Sequence, residues 1–403
     1  MSENAREQPL SGIRVLDAAT FLAGPFCATI LSEFGAEVIK LEHPKIHDPL
    51  RDLGMRTENG ETLMWLSEAR NKKTVTLNLS VPEGAEIFRK MVRQADIVVE
   101  NFRPGTMERW GIGYEALSAI NRGVVMVRIS GYGQSGPYKD RPGFARVAHA
   151  VSGLSFLTGE AGGRPAAPGS MAFGDYLSGL YGALGSLLAL RHREHTGVGQ
   201  YIDVALYESV FRFLDELAPA FARFGFVRQR MGADVANIAP HSHYQCADGH
   251  WVALACSSDK MFERLARAME RPELATDEKF ARMHARVANR DAINTIVAEW
   301  IGQHTRDKLM RICLQAEIPC GPVNSIADIF ADPHFAARGN LMKVADAELG
   351  EIVLPSIVPR LSRTPGQITH LGRHKGADTD AVLHQWLGLD DAELAGLRTR
   401  GVI

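Results

Sequence analysis

An aspartate stands where a helix begins in the stretch MAFGDYLSG, residues 171–179, and apolar residues then recur at helical spacing through Leu177, Leu180, Leu184, Leu187, Leu188 and Leu190. The first turn of a helix offers backbone N–H groups and the positive end of its dipole, which favour the ionised, nucleophilic form of Asp175. An aspartate that only caps the helix looks the same, so the local pattern leaves both readings open. Three other groupings suggest chemistry but lack the partners it needs. Gly131, Gly133 and Gly136 are not spaced as GxGxxG at the first βα turn and have no later acidic residue, which argues against NAD. His241, His243 and His250 lack a carboxylate or thiol to complete a recognised ligand set, so no metal is expected. Cys27 lies near a helix start with no assignable histidine partner.

The elements that must position these residues are legible in outline. Residues 12–42 read as strand, helix, strand, with Gly24-Pro25 opening the helix. A second such unit follows, with a helix over 83–93 and apolar strands at 97–99 and 124–129, so a parallel sheet covered by helices is expected. The helix from Asp175 runs to a turn at 196–199, and its small residues Gly179, Gly182, Gly185 and Ser186 permit a neighbouring backbone to come close. A strand at 201–205 and a helix over 208–222 lead to polar, glycine-containing sequence at 225–240. Beyond it, 243–245 and 251–255 read as a hairpin around Asp248-Gly249, followed by helices near 259–270, 289–303 and 305–316. After 324 come a strand at 350–354 and a helix at 378–387. The fold class is thus α/β. A large domain is expected from 1–224 and 325–403, with a smaller α+β domain at 225–324.

Composition fits a chain that handles small molecules. The 403 residues are 45% apolar, enough for two domains with substantial cores, and 45 basic residues nearly balance 47 acidic ones. No dense Lys/Arg block points to nucleic acid or an anionic membrane, and no run approaches the roughly 20 apolar residues that span a bilayer. The first residues lack the apolar core of a signal peptide. Five scattered cysteines without CxxC spacing argue against a disulfide framework or a zinc site, and a reducing cytoplasm is the expected location.

Several phrases, taken in order, identify a family. GIRVLDAATFLAGPFCATILSEFGAEVIKLE at 12–42, NKKT at 71–74, VENFRPG at 99–105, SGYGQSGP at 130–137, GD at 174–175, TGVGQYIDV at 196–204 and PCGPV at 319–323 together resemble the class III CoA-transferases, the formyl-CoA transferase and carnitine dehydratase-like (CaiB/BaiF) family. The resemblance implies a Rossmann-like large domain, an interlocked homodimer, and Asp175 as the covalent nucleophile. It also implies a coenzyme A thioester as substrate and no permanently bound cofactor. Transferring CoA without losing the thioester's free energy to water requires an activated acyl intermediate, which a carboxylate supplies as a mixed anhydride. Oxyanion donors are expected in glycine-containing turns such as 131–136 or 159–163.

Within the resemblance, Arg109 in MERWG (107–111) matches a CoA-contacting arginine, and Lys72, Lys73 and Arg103 are further expected contacts. His43 stands where many members carry arginine, and GFAR at 143–146 departs from the usual acidic or polar residue. Phe144-Ala145 cannot supply the His-Asp pair of the related α-methylacyl-CoA racemase. A second substrate carboxylate would need cations, for which Arg146, His149, Arg228, Arg230, His241 and His243 are candidates, although surface or interdomain pairing would suit them equally. The chain is similar to members that act on C4 and C5 dicarboxylates, implying succinyl-CoA as donor and malate, citramalate or itaconate as acceptor. The alternatives are CoA transfer between two carboxyls of one acid, a racemase, and a non-catalytic CoA-binding subunit; a homologous partner subunit is also compatible.

Overall fold

Short strands with both faces buried call for a sheet covered on two sides. A computed structural model, in which residues 8–169 and 171–403 are described, contains such a sheet. β1 (Arg14–Asp17), β2 (Glu37–Glu42), β3 (Lys72–Thr76), β4 (Ile97–Glu100), β5 (Val125–Ser130) and β6 (Tyr201–Ala205) pair in parallel in the order β3-β2-β1-β4-β5-β6. The chain reverses its direction of growth between β1 and β4. In open α/β sheets, the crevice outside the C-terminal ends of two such strands is where ligands bind.

Alternation along the strands divides the core between the two faces. Leu16, Ile39, Val98 and Met126 point to one side, against Phe88 and Met91 of the helix Pro82–Val92 and against Val382, Leu383 and Trp386 of the helix Thr379–Leu387. A last helix, Asp391–Thr399, adds Leu394 and Leu397 to this layer. Val15, Val38, Ile97 and Val127 point the other way, against Ala28 and Leu31 of the first helix, Ala23–Glu33, and Ala183 and Leu190 of the long helix, Phe173–Thr196.

The chain divides into two compact units. The first holds the residues up to Leu154, Pro168–Asp215 and Gly339–Ile403; the second holds Ser155–Ala167 and Glu216–Arg338. In the second unit β7 (His241–Gln245), β8 (Trp251–Ala255) and β9 (Cys320–Pro322) form an antiparallel sheet over a core that includes Val252, Phe262, Val297 and Leu309. The limits expected at 225 and 324 fall inside this unit. Helix Leu217–Phe224 belongs to it, and residues 155–167 are tied to it where Gly232 N–H donates to Gly159 O at 3.0 Å and Arg230 Nη1 to Phe156 O at 2.6 Å. A two-stranded antiparallel ribbon, β10 (Leu341–Asp346) and β11 (Gly350–Pro355), lies in the first unit.

Two expectations change. The helix expected over 208–222 is two helices, Leu206–Phe211 and Leu217–Phe224, separated where Asp215 takes a left-handed φ of 46°. Lys72, expected to meet CoA, is instead sealed in the core. Its Nζ lies 3.0 Å from Asp17 Oδ2 and donates to Pro25 O at 2.6 Å, and both charged side chains have 0% exposure. Nearby, Lys40 pairs with Asp48 at 3.1 Å and also bonds Ala19 O, while Arg51 binds Glu42 through two 2.8 Å bonds. Removing one member of a buried pair strands the other's charge. Lys72→Met should therefore lower unfolding free energy by about 3–5 kcal/mol, measured by urea denaturation.

Candidate active site

Between β1 and the first helix the chain turns through residues 18–22, of which Thr20, Phe21 and Leu22 form one wall of a cavity of about 220 Å³. Phe21 adopts φ +65°, a region that aromatic residues rarely enter, and its surroundings hold it there. Its N–H donates to Asp48 Oδ1 at 2.9 Å, and Lys40 in turn holds Asp48 through the other oxygen. Thr20 and Asn101 exchange two bonds, 2.8 and 2.7 Å, joining this turn to the one that follows β4. The cavity thus opens at the C-terminal ends of β1 and β4, with Ser130 and Gly131 at the end of β5 beside them. A Cβ on Gly131 would lie 2.8 Å from Gly143 Cα, so only a glycine lets the loop through 143 cross the strand end this closely.

Asp175 enters this cavity from the first turn of the long helix. It is 6% exposed, and among the described residues no donor bonds its carboxylate. The helix start does not serve it. Gly174 N–H donates to His149 Nε2 at 2.9 Å, and the N–H groups of Asp175 and Tyr176 both go to Ala172 O. Burial therefore outweighs the helix terminus and pushes the carboxyl up to about 7, against the expectation that its position favours ionisation. A carboxylate of this basicity is a stronger nucleophile than an ordinary aspartate, and a large fraction of it is ionised at neutral pH.

His149, expected to meet substrate, is instead buried behind the helix start. Burial and the nearby Arg146 hold it below the usual imidazole range, so it is neutral and its Nε2 lone pair is available to Gly174. Its role is to seat the turn that carries Asp175. Arg146 is exposed on the helix Ala145–Val151 and is not part of the cavity wall.

Of the other expected residues, Arg103 lies in the wall with Asp175. Arg109 lines an adjoining cavity of about 680 Å³ that shares Pro104 and Lys139 with the first, and its Nη2 donates to Thr106 Oγ1 at 2.9 Å. Arg128, in the same second cavity, bridges Glu100 and Glu108 at 2.8 Å each. Burial, only partly offset by Arg128, raises the Glu100 carboxyl to about 7. Lys73 pairs with Glu37 at 2.6 Å, at the start of β2 and away from the crevice end of the sheet. His43 follows the last residue of β2, with Nδ1 accepting from the N–H groups of Lys45 and Ile46 at 3.1 Å, and it lines neither cavity.

His241 and His243 lie on β7 in the second unit. Arg228 pairs there with Glu216 at 3.3 Å, and Arg230 sits over the Phe156 ring. Residues 159–163 also belong to that unit, so of the expected oxyanion turns only Gly131 lines the cavity with Asp175. Among the described residues, no three of His, Cys, Asp or Glu gather as a metal site. Lys139 and Arg141 were not expected and line the cavity. Their signal was their place in the loop that leaves β5 at the crevice end of the sheet.

The model of CoA-transferase family III matches residues 10–379. The chain belongs to that family. It is 54% identical over 396 residues to the alpha subunit of the succinyl-CoA–L-malate CoA-transferase of Chloroflexus aurantiacus, covering 98% of this chain and 92% of the relative. The beta subunit is 52% identical over 397 residues, covering 98% of each. The crystal structure of a CAIB/BAIF family protein from Brucella suis aligns with a TM-score of 0.82 at 34% identity, over 94% of this chain and all of that one. This class III CoA-transferase shares their mixed α/β fold, with a parallel central sheet and a separate small antiparallel sheet.

Two outcomes follow from the buried carboxyl. If Asp175 must be ionised to react, kcat/KM for an acyl-CoA should fall about tenfold per pH unit below about 7 and level off above it, as a pH–rate profile would show. Stability runs the opposite way. An unfolded aspartate titrates near about 3.9, so the folded state bears the full cost of the buried charge above about pH 7, a shrinking cost down to about pH 4, and none below. Asp175→Asn should therefore be more stable than the parent near pH ~8 and no more stable near pH ~4, read from denaturant midpoints. His149→Leu leaves the Gly174 N–H buried without an acceptor. It should cost about 1–3 kcal/mol of stability and lower kcat with little change in KM, measured by denaturation and steady-state kinetics.

Proposed function

We propose that this transferase moves CoA from succinyl-CoA to a C4 or C5 dicarboxylate such as malate, citramalate or itaconate, with malate the favoured acceptor, through covalent intermediates on Asp175. The observation that carries this reading is one desolvated, unpartnered carboxylate in a cavity whose other charged residues are Arg103, Lys139 and Arg141. The names of the Chloroflexus relatives support the choice of donor and acceptor.

In the proposed sequence an Asp175 oxygen attacks the donor thioester carbon and expels CoA thiolate, leaving a succinyl-aspartyl anhydride. The thiolate attacks the aspartyl carbonyl, and succinate leaves with its carboxylate restored. The acceptor carboxylate then attacks the aspartyl-CoA thioester, expelling thiolate again. Attack of that thiolate on the acceptor's acyl carbon frees Asp175 and yields the new thioester. Each step passes through an oxyanion, for which the backbone at Gly131, in the cavity wall, is the proposed donor. CoA would extend along the adjoining cavity, its phosphates meeting Arg109 and Lys139, with Arg103 at the junction.

A dimer fits the surface of the long helix, where Leu180, Leu184, Leu187 and Leu188 are about half exposed on neighbouring turns. The partner is a second copy or a homologous subunit, as the alpha and beta names of the relatives suggest. No described helix is long and apolar enough to cross a membrane, and the cytoplasm is the proposed location.

The test is to incubate the purified protein with succinyl-CoA and a panel of mono- and dicarboxylates and to follow new CoA thioesters by mass spectrometry. Malonyl-length and longer acids serve as size controls. A new thioester with malate that disappears in Asp175→Ala is the expected result. Transfer only within a supplied dicarboxyl mono-CoA ester would establish the intramolecular reaction instead, and transfer surviving in Asp175→Ala would remove the nucleophile.

A further inference from the structure

We infer that Arg141 is the residue that reads the second carboxylate of the acyl donor and so sets the preference for a dicarboxylic acyl group. This inference rests on the reading of the site as a succinyl-CoA-using transferase. The cavity around Asp175 holds three cations, Arg103, Lys139 and Arg141, and none of them pairs with a protein carboxylate among the described residues. All three are exposed, so an acyl group with an apolar end would leave that positive charge facing only water. A free carboxylate at the end of the acyl chain answers it.

The three cations are held differently. Lys139 lies in both cavities and faces the side that also holds Arg109 and Arg128. Arg103 has nothing among the described residues that holds its guanidinium. Arg141 lines only the Asp175 cavity, and its guanidinium is stacked 3.6 Å from the Tyr138 ring centroid. Tyr138 packs in turn on Tyr132 at 5.9 Å, and Tyr132 on Tyr207 at 6.0 Å. Two residues beyond Arg141 the loop is pinned at Gly143, whose Cα lies where a Cβ on Gly131 would come within 2.8 Å. Arg141 therefore presents its planar fork already oriented, and binding a carboxylate bidentately costs it little side-chain freedom. Selectivity between acyl groups needs a partner that stays in place when the wrong one enters, and only Arg141 is built that way.

The test compares kcat/KM for succinyl-CoA and for butyryl-CoA, which has the same chain length but lacks the terminal carboxylate, in the full-length protein and in Arg141→Met, Arg141→Lys and Lys139→Met. In a ping-pong reaction this constant contains only donor steps, so the acceptor's own carboxylates do not intrude. The expected result is that Arg141→Met reduces the succinyl-over-butyryl preference by about 10- to 100-fold, that Arg141→Lys falls between it and the parent, and that Lys139→Met lowers both donors together. An equal loss on both donors in Arg141→Met would overturn the assignment, as would an unchanged preference, or a preference erased by Lys139→Met instead. Unchanged denaturation midpoints show that the variants are folded. A parent protein that takes CoA from neither donor is a separate outcome that sinks the transferase reading and this inference with it.

Discussion

Close approach of the long helix to the first one determines where the chemistry can happen. A Cβ on Gly179 would sit 2.7 Å from Ala23 O, and one on Gly182 would sit 3.1 Å from Cys27 Sγ, so the two backbones meet at a distance that larger residues would prevent. Seated at this depth, the long helix brings its first turn to the end of the sheet where the strand order reverses between β1 and β4. Asp175 arrives there largely buried and with its own helix's first N–H groups already used. Its raised pKa and its place in the crevice thus have one cause.

A carboxylate in that position is useful only if its surroundings do not rearrange to solvate it. The chain secures them with charge buried beneath the turn after β1: Lys72 with Asp17, Lys40 with Asp48, and Arg51 with Glu42. Ion pairs taken out of water add little net stability, but their geometry is demanding, and here it holds Phe21 in a left-handed conformation against the cavity. His149 does the same from the other side with one neutral hydrogen bond. The elements around the site therefore act mainly as positioners of one aspartate.

Much of this was legible in the residues. Alternating apolar runs located five of the six parallel strands and the long helix, and the GD phrase located Asp175 at its start. β3 was not legible because KKTVT reads as a polar segment, and it is the buried Asp17 and Pro25 O that make a buried Lys72 tolerable. The helix Asp391–Thr399 was missed because only Leu394 and Leu397 of its nine residues are buried, too few to mark an apolar face. At the site, the types of the basic residues said that carboxylates and phosphates would be met, but not which cations face the cavity. That depends on loop crossings such as Gly131 over Gly143, which periodicity does not encode. His149 looked like a ligand for substrate and is a ligand for a backbone amide.

The most direct measurement is to trap the enzyme during turnover. The protein would be mixed with succinyl-CoA in the presence of hydroxylamine, digested, and the peptide containing Asp175 examined by mass spectrometry. A hydroxamate on Asp175 that needs succinyl-CoA to form is what a covalent aspartyl intermediate predicts. Turnover that leaves Asp175 unmodified under those conditions, with hydroxamate appearing only on free succinate, would contradict it.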